Sequence, residues 1–114
     1  TGALIAVSCE AGAILGKASK NARNVLHAYA HDVGLAFQIA DDLLDVEGHE
    51  EGMGKKTGKD AAAGKATFVS LLGVERAREQ AQLLAQQAAS HLDIFDDKGK
   101  PLRDLAQFVV SRTT

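Results

Sequence analysis

The chain has 114 residues, of which 46% are hydrophobic, and a formal net charge of −2 at pH 7. This length allows one domain or part of one, and the apolar content excludes a disordered segment. The near balance of charge gives no reason to expect nucleic-acid or membrane-surface binding, and no apolar run is long enough to span a membrane. The single Cys9 cannot form an internal disulfide, which fits a reducing cytoplasm and an excised fragment equally well.

The first predicted helix runs from Thr1 to about Leu15. Its apolar residues recur at helical spacing, and Glu10 is its one charged residue. A helix with so few charges is expected to be buried on most sides. Gly16 is placed to end this helix, and Ser19 can cap the next one.

A long second helix is predicted from about Asn21 to Glu47, and Gly48 is expected to end it. Its apolar residues are spaced three and four apart, as on the core-facing side of a helix: Leu26, Tyr29, Val33, Ala36, Phe37, Ala40, Leu43 and Leu44. Gly34 lies in mid-helix, where it costs about 1 kcal/mol relative to alanine, so we expect close helix packing there. His27 and His31 could ligate a metal, but no third ligand stands nearby and a polar helix face explains them well.

Four polar residues are set into the second half of this helix: Gln38, Asp41, Asp42 and Asp45. Their spacings of three and four predict one polar stripe. Like charges so placed cost roughly a few tenths of a kcal/mol per pair, and the helix macrodipole disfavours negative charge near the C-terminus. Mg²⁺, which binds through carboxylates together with substrate phosphates, would offset these costs. The alternative is a solvated acidic face.

The segment from Gly48 to Ala66 is rich in glycine and lysine. Glycine lets backbone N–H groups approach an anion, and lysine supplies positive charge for phosphate. The residues concerned are Gly48, Gly52, Gly54, Gly58 and Gly64, with Lys55, Lys56, Lys59 and Lys65. A loop of this length in a compact domain is usually functional or disordered. Directly after a carboxylate stripe it provides what metal-bridged diphosphate binding needs, whereas the alternative is a mobile surface loop.

Three more helices are predicted after this loop. They run from Thr67 to Leu72, from about Val74 to Leu92, and onward from Pro101 after a turn at Asp96–Lys100. The middle helix has one apolar face and is otherwise polar, as on a surface helix: Ala77, Ala81, Leu84, Ala85, Ala88 and Leu92. No stretch alternates as a strand does, so the predicted fold class is all-α, as part of a helical bundle.

The run GLAFQIADDLLD at 34–45 resembles the second aspartate-rich motif of the trans-polyprenyl diphosphate synthases, and most closely that of bacterial farnesyl and geranylgeranyl diphosphate synthases. GKKTGKD at 54–60 and GKAT at 64–67 match the loop of that family, and TGAL at 1–4 resembles the end of its Lys-Thr motif. The combination is highly specific and runs over nearly the whole chain. The family's first aspartate-rich motif and its basic site for the homoallylic substrate are absent, so residues 1–114 are interpreted as the C-terminal part of one synthase domain.

The resemblance implies Mg²⁺-dependent condensation of isopentenyl diphosphate with an allylic diphosphate, in a cytoplasmic homodimer. It implies catalytic roles for Asp41, Asp42, Asp45 and Lys55; substrate binding by Thr1, Phe37, Gln38, Lys55 and Lys65; and Mg²⁺ ligation by Asp41, Asp45 and Asp60. Two of these assignments have alternatives. Thr1 could be a helix N-cap, and Asp60 could pair with a lysine.

Two other classes of protein stay open on the sequence. A non-catalytic binding or regulatory subunit of the same fold would keep the packing while lacking the first motif. A helical interaction module would carry the acidic residues only as a solvated face. Mg²⁺-dependent binding of diphosphate distinguishes the first two readings, enzyme and subunit, from the third.

Overall fold

The computed structural model describes residues 2–50 and 67–112, which are mostly helical, with no β-strand among them. The α-helices are α1 (Gly2–Leu15), α2 (Lys20–Glu50), α3 (Phe68–Leu72), α4 (Val74–His91) and α5 (Lys100–Ser111). A 3₁₀ segment, Leu92–Gly99, joins α4 to α5. The predicted all-α class is confirmed. None of the described helices is both long enough and apolar enough to cross a membrane.

Hydroxyl side chains fix two of the helix starts, and the sequence predicts the cap at Ser19. At the start of α2, the Ser19 hydroxyl accepts a hydrogen bond from the Ala22 N–H at 3.1 Å. At the start of α3, Thr67 and Ser70 form a capping box, each hydroxyl accepting from the other residue's N–H, at 3.0 and 2.8 Å. Pro101 lies in the first turn of α5, where its missing N–H costs nothing.

Some predicted boundaries differ from the structure. Helix α2 continues through Gly48, so the prediction that this residue ends the helix is wrong. One glycine inside a helix costs only about 1 kcal/mol relative to alanine, which the flanking turns can offset. Helix α1 ends at Leu15 as predicted, but the left-handed residue that follows is Lys17 (φ 56°), not Gly16. The predicted turn at Asp96 is part of the 3₁₀ segment, with φ 52° at that residue.

The core lies between α2 and α4. Every residue predicted for the apolar face of α4 is buried: Ala77, Ala81, Leu84, Ala85, Ala88 and Leu92. The alanines among them let α4 approach α2 closely, and Ile39 and Leu43 of α2 are fully buried in the same apolar core. Because burial of apolar surface contributes roughly 25 cal/mol per Å², the described fold depends mainly on this pair of helices. Helix α5 packs against both of them.

A polar pair also joins α2 to α4. Asp32 is 5% exposed, and His91 Nε2 lies 2.9 Å from its Oδ2. A carboxylate buried without a partner is strongly destabilising, so His91 makes the position of Asp32 in the core tolerable. The pair fixes the register of α2 on α4 at a point about 14 Å along the helix axis from Asp41.

The first helix departs most from its predicted burial. Ala13 is the buried residue of α1, whereas Leu4 is 71% exposed, Val7 62% and Leu15 84%. The prediction of a helix buried on most sides is therefore wrong for the chain as described. Helix α1 packs chiefly on α2, and the described residues do not cover its other sides.

Candidate functional site

The polar residues of α2 divide between two environments. Asp41 is exposed and Asp45 is partly exposed, whereas Asp42 is only 7% exposed. Residues four apart lie on the same side of a helix, while adjacent residues are turned by about 100°. The single stripe predicted from the sequence is therefore a solvent-facing pair, Asp41 and Asp45, with a buried carboxylate beside it.

Asp42 is connected to the solvent-facing side through Gln38. The Gln38 Nε2 donates a hydrogen bond to Asp42 Oδ1 at 3.3 Å, across one helical turn. Gln38 itself is exposed, so its amide remains accessible while its orientation is restrained. A buried carboxylate that accepts such a bond restrains the amide of Gln38, which lies one helical turn before Asp41.

The side of α2 that carries Asp41 continues towards the start of the helix, where it meets α1. Steps of four and three residues lead from Asp41 back through Gln38, Gly34, His31 and His27. A cavity of about 360 Å³ lies against this side, and residues of both α1 and α2 line it: Gly2, Ala3, Ala6, His27, His31, Gly34, Leu35 and Gln38. We call this space the α1–α2 cavity. Because residues of both helices line it, the first turn of α1 lies close to the polar residues of α2.

The donor set fits one kind of metal site. Within residues 2–50 and 67–112, no group of three or more His, Cys, Asp or Glu side chains could hold a metal ion. Mg²⁺ needs no such protein cage, because it commonly takes one or two carboxylates and fills its other positions with water and phosphate oxygens. Asp41, which is exposed, and Asp45, which is partly exposed, match that requirement. The two imidazoles of His27 and His31 do not add a third protein ligand there.

A second cavity, of about 470 Å³, lies between α1, α2 and α5 and is almost wholly apolar. Phe37 lines this cavity, and the Arg112 guanidinium lies 4.9 Å from the centroid of its ring. The Tyr29 hydroxyl donates to the Leu102 carbonyl at 2.8 Å. Burial, with a smaller effect from the nearby Cys9 thiolate, raises the pKa of Tyr29 to about 12. Burial also raises the pKa of the Cys9 thiol.

The other predicted site residues, Thr1, Lys55, Asp60 and Lys65, lie outside the described residues, as do Lys56 and Lys59 of the same loop. The roles predicted for them therefore stay predictions. Of the predicted residues that are described, the structure brings Gln38, Asp41, Asp42 and Asp45 together, and it places Phe37 at the apolar cavity instead.

The burial of Asp32 was missed in the sequence, although a signal for it exists. Asp32 precedes Ala36, Ile39 and Leu43 by four, seven and eleven residues, which puts it on the side of α2 that faces α4. A charged residue on that side of α2 needs a partner from the facing helix. Nothing in the local sequence identifies His91, 59 residues away, as that partner.

Comparison with known proteins agrees with the fold and with the motif. The sequence matches the family described as Polyprenyl synthetase over residues 1–100, and the chain therefore belongs to the polyprenyl synthetase family. The resemblance found in the motif at 34–45 is thus confirmed.

Individual relatives show how much of a synthase the chain represents. A dimethylallyltranstransferase of Fischerella ambigua (strain UTEX 1903) is 46% identical over 113 residues, which make up 99% of this chain and 33% of that protein. A geranylgeranyl diphosphate synthase of Cyanophora paradoxa is 44% identical over 98% of this chain and 37% of its own length. The crystal structure of an FPP/GFPP synthase from Zymomonas mobilis matches with a TM-score of 0.80 and 50% identity, over 96% of this chain and 34% of that one. The chain spans about a third of the length of these relatives.

Proposed function

We propose that this chain supplies the metal–diphosphate side of a prenyltransferase active site. The observation that carries the proposal is the pair of exposed Asp41 and partly exposed Asp45, which follows the restrained amide of Gln38 along α2. Gln38 in turn lines the α1–α2 cavity. Membership of the polyprenyl synthetase family supports it, as do the printed names of the relatives, which are transferases and synthases of prenyl diphosphates.

The reaction proposed for the whole enzyme is condensation of isopentenyl diphosphate with an allylic diphosphate. Ionisation of the allylic substrate leaves negative charge on the departing diphosphate, and a bound Mg²⁺ would stabilise that charge. Asp41 and Asp45 would hold the metal. Gln38 would donate to a ligand oxygen or orient a water, with Asp42 as the positioning residue behind it.

Further residues complete the proposal on the strength of the family motif. Lys55 and Lys65 would contact diphosphate oxygens, because a lysine ammonium binds phosphate as a point charge. Lys55 would also have a catalytic role. Asp60 would add a carboxylate on the metal side, and Thr1 would present a hydroxyl to the substrate. Phe37 would form part of the apolar surroundings of the substrate. A homodimer with Mg²⁺ as cofactor and a cytoplasmic location are proposed for the whole synthase.

A substitution at Asp41 in a synthase that contains this sequence tests the proposal. Asp41→Ala should lower the steady-state rate, at saturating Mg²⁺ and both substrates, by on the order of 100-fold, because the lost ligand acts where charge develops. Asp93→Ala is the matched control, since Asp93 is an exposed aspartate of the 3₁₀ segment. It should leave the rate unchanged. A rate for Asp41→Ala within a few-fold of the unchanged enzyme would overturn the assignment.

A further inference from the structure

Gly34 lies where the first turn of α1 crosses α2. Gly34 is buried, and a Cβ built on its backbone would lie 3.1 Å from the Gly2 Cα and 4.0 Å from the Gly2 nitrogen. Two carbon atoms are in favourable contact at roughly 3.5–4.0 Å. A side chain at Gly34 therefore meets the backbone of α1, which cannot rotate aside as the end of a long side chain could.

The backbone conformation of Gly34 gives no other reason for glycine. It lies inside α2, and the positive-φ glycine among the described residues is Gly73. In a helix interior, glycine is less favourable than alanine because it loses more conformational freedom on folding. The close approach of α1 is thus the feature that requires glycine at this position.

The position of this contact relates it to the proposed metal site. Gly34 is on the same side of α2 as Gln38 and Asp41, one and two turns before them, and lies about 10 Å along the axis from Asp41. Gly2 and Gly34 both line the α1–α2 cavity, as Gln38 does. The separation of the two helices at Gly34 therefore sets the width of the cavity that adjoins the polar residues.

We propose that Gly34 is a positioning residue for the diphosphate. By letting the first turn of α1 approach α2, it allows a diphosphate held at Asp41 and Asp45 to contact α1 at the same time. This inference rests on the proposed function, because it takes the α1–α2 cavity to be part of the diphosphate site. On this view, the affinity for diphosphate depends on the spacing of α1 and α2 as well as on the carboxylates and lysines.

The test uses a synthase that contains this sequence, with inorganic pyrophosphate and Mg²⁺ as the probe, and measures binding by calorimetry. Gly34→Ala and Gly34→Val form a graded pair, and both should weaken binding, Gly34→Val by on the order of tenfold, since displacement of a contacting group by about 1 Å is costly. Gly12→Ala is the matched control, because a Cβ at Gly12 meets nothing within 4 Å. It should leave binding unchanged.

Two further readouts separate positioning from a structural role. Circular dichroism should show that Gly34→Ala melts close to the unchanged chain, because the gain in helix propensity of about 1 kcal/mol opposes the cost of moving α1. The backbone amide resonances of Ala3 and Ala6 should shift when pyrophosphate binds to the unchanged chain, and should shift less in the Gly34 variants.

The outcomes distinguish the inference from the proposed function. Equal affinity and equal amide shifts in Gly34→Ala and the unchanged chain, with binding lost in Asp41→Ala, would overturn the positioning role and leave the proposed function standing. No Mg²⁺-dependent binding of pyrophosphate by the unchanged synthase would overturn both. If Gly34→Val fails to fold, the comparison of Gly34→Ala with Gly12→Ala still decides the matter.

Discussion

At the scale of single residues, the adjacent Asp41 and Asp42 of α2 differ in burial. Asp42 is 7% exposed and accepts from Gln38, whereas Asp41 is exposed. Truncation of a buried hydrogen-bonded group leaves its donor without a partner, while truncation of an exposed group changes little. Substitution of Asp42 should therefore lower stability, whereas substitution of Asp41 should affect ligand binding.

We expect Asp42→Ala to lower the free energy of unfolding by about 1–3 kcal/mol. Asp41→Ala should stay within about 0.5 kcal/mol of the unchanged chain, because its carboxylate is exposed. Urea denaturation followed by circular dichroism measures both. Equal loss of stability in the two variants would show that the different burial of Asp41 and Asp42 has no energetic consequence.

Tyr29 gives a prediction about alkaline pH. Its pKa is raised from 10.0 to about 12 in the folded chain by burial. The unfolded chain releases this proton first as pH rises, so the stability that Tyr29 contributes is complete below pH 10 and is lost between pH 10 and 12.

Tyr29→Phe serves as the comparison for this titration. At pH 7 the variant should be less stable by about 1 kcal/mol, because the bond to the Leu102 carbonyl is lost. That difference should narrow as pH rises from 10 to 12, because all other side chains are the same in both chains. Urea midpoints that stay parallel across this range would contradict the raised pKa.

At the scale of elements, the pair of Asp32 and His91 joins α2 to α4 within their apolar interface. Asp32 is almost fully buried, while about a third of the His91 side chain is exposed. Removal of the histidine leaves a buried carboxylate unpaired, whereas removal of both polar groups leaves only a change in packing.

His91→Ala should therefore destabilise the chain by about 2 kcal/mol, less than for a fully buried pair because water reaches the imidazole. The double variant Asp32→Leu with His91→Leu should recover most of that loss. Denaturation of Asp32→Leu, of His91→Leu and of the double variant gives the coupling energy of the pair. Additive losses in the double variant would show that the two residues act independently.

Patterns that repeat within one element were predictable from the sequence, whereas contacts between distant elements were not. The buried face of α4, the Ser19 cap and the Thr67 helix start all follow from local spacing and local hydrogen bonds. The partner of Asp32 depends on how α2 and α4 pack, and the exposure of α1 depends on which helices surround it. Of the candidate site, the sequence predicted the residues but not the burial that separates Asp42 from Asp41.

At the scale of the whole molecule, α1 and α5 present a large apolar surface. Leu4 and Val7 of α1 are 71% and 62% exposed, and Leu105 and Phe108 of α5 are 46% and 61% exposed. Leu4, Leu105 and Phe108 also line the apolar cavity. Contiguous exposed apolar surface of this kind promotes association between molecules.

We expect the isolated 114-residue chain to self-associate through this surface. Sedimentation velocity should show a mean mass that rises with concentration, and Phe108→Glu should reduce the rise. Leu83→Glu is the control, because Leu83 is an exposed leucine of α4 outside this surface. A monomeric chain at all concentrations, or equal effects of the two substitutions, would contradict the expectation.

The account depends most on the claim that Asp41 and Asp45 hold a metal together with a diphosphate. Mn²⁺ in place of Mg²⁺ tests it directly, because a paramagnetic ion broadens the amide resonances of nearby residues. With pyrophosphate present, we predict broadening at Gln38, Asp41 and Asp45, and none at the exposed Asp96 and Asp97 of the 3₁₀ segment. Broadening that is equal at both groups of aspartates, or that does not depend on pyrophosphate, would contradict the claim.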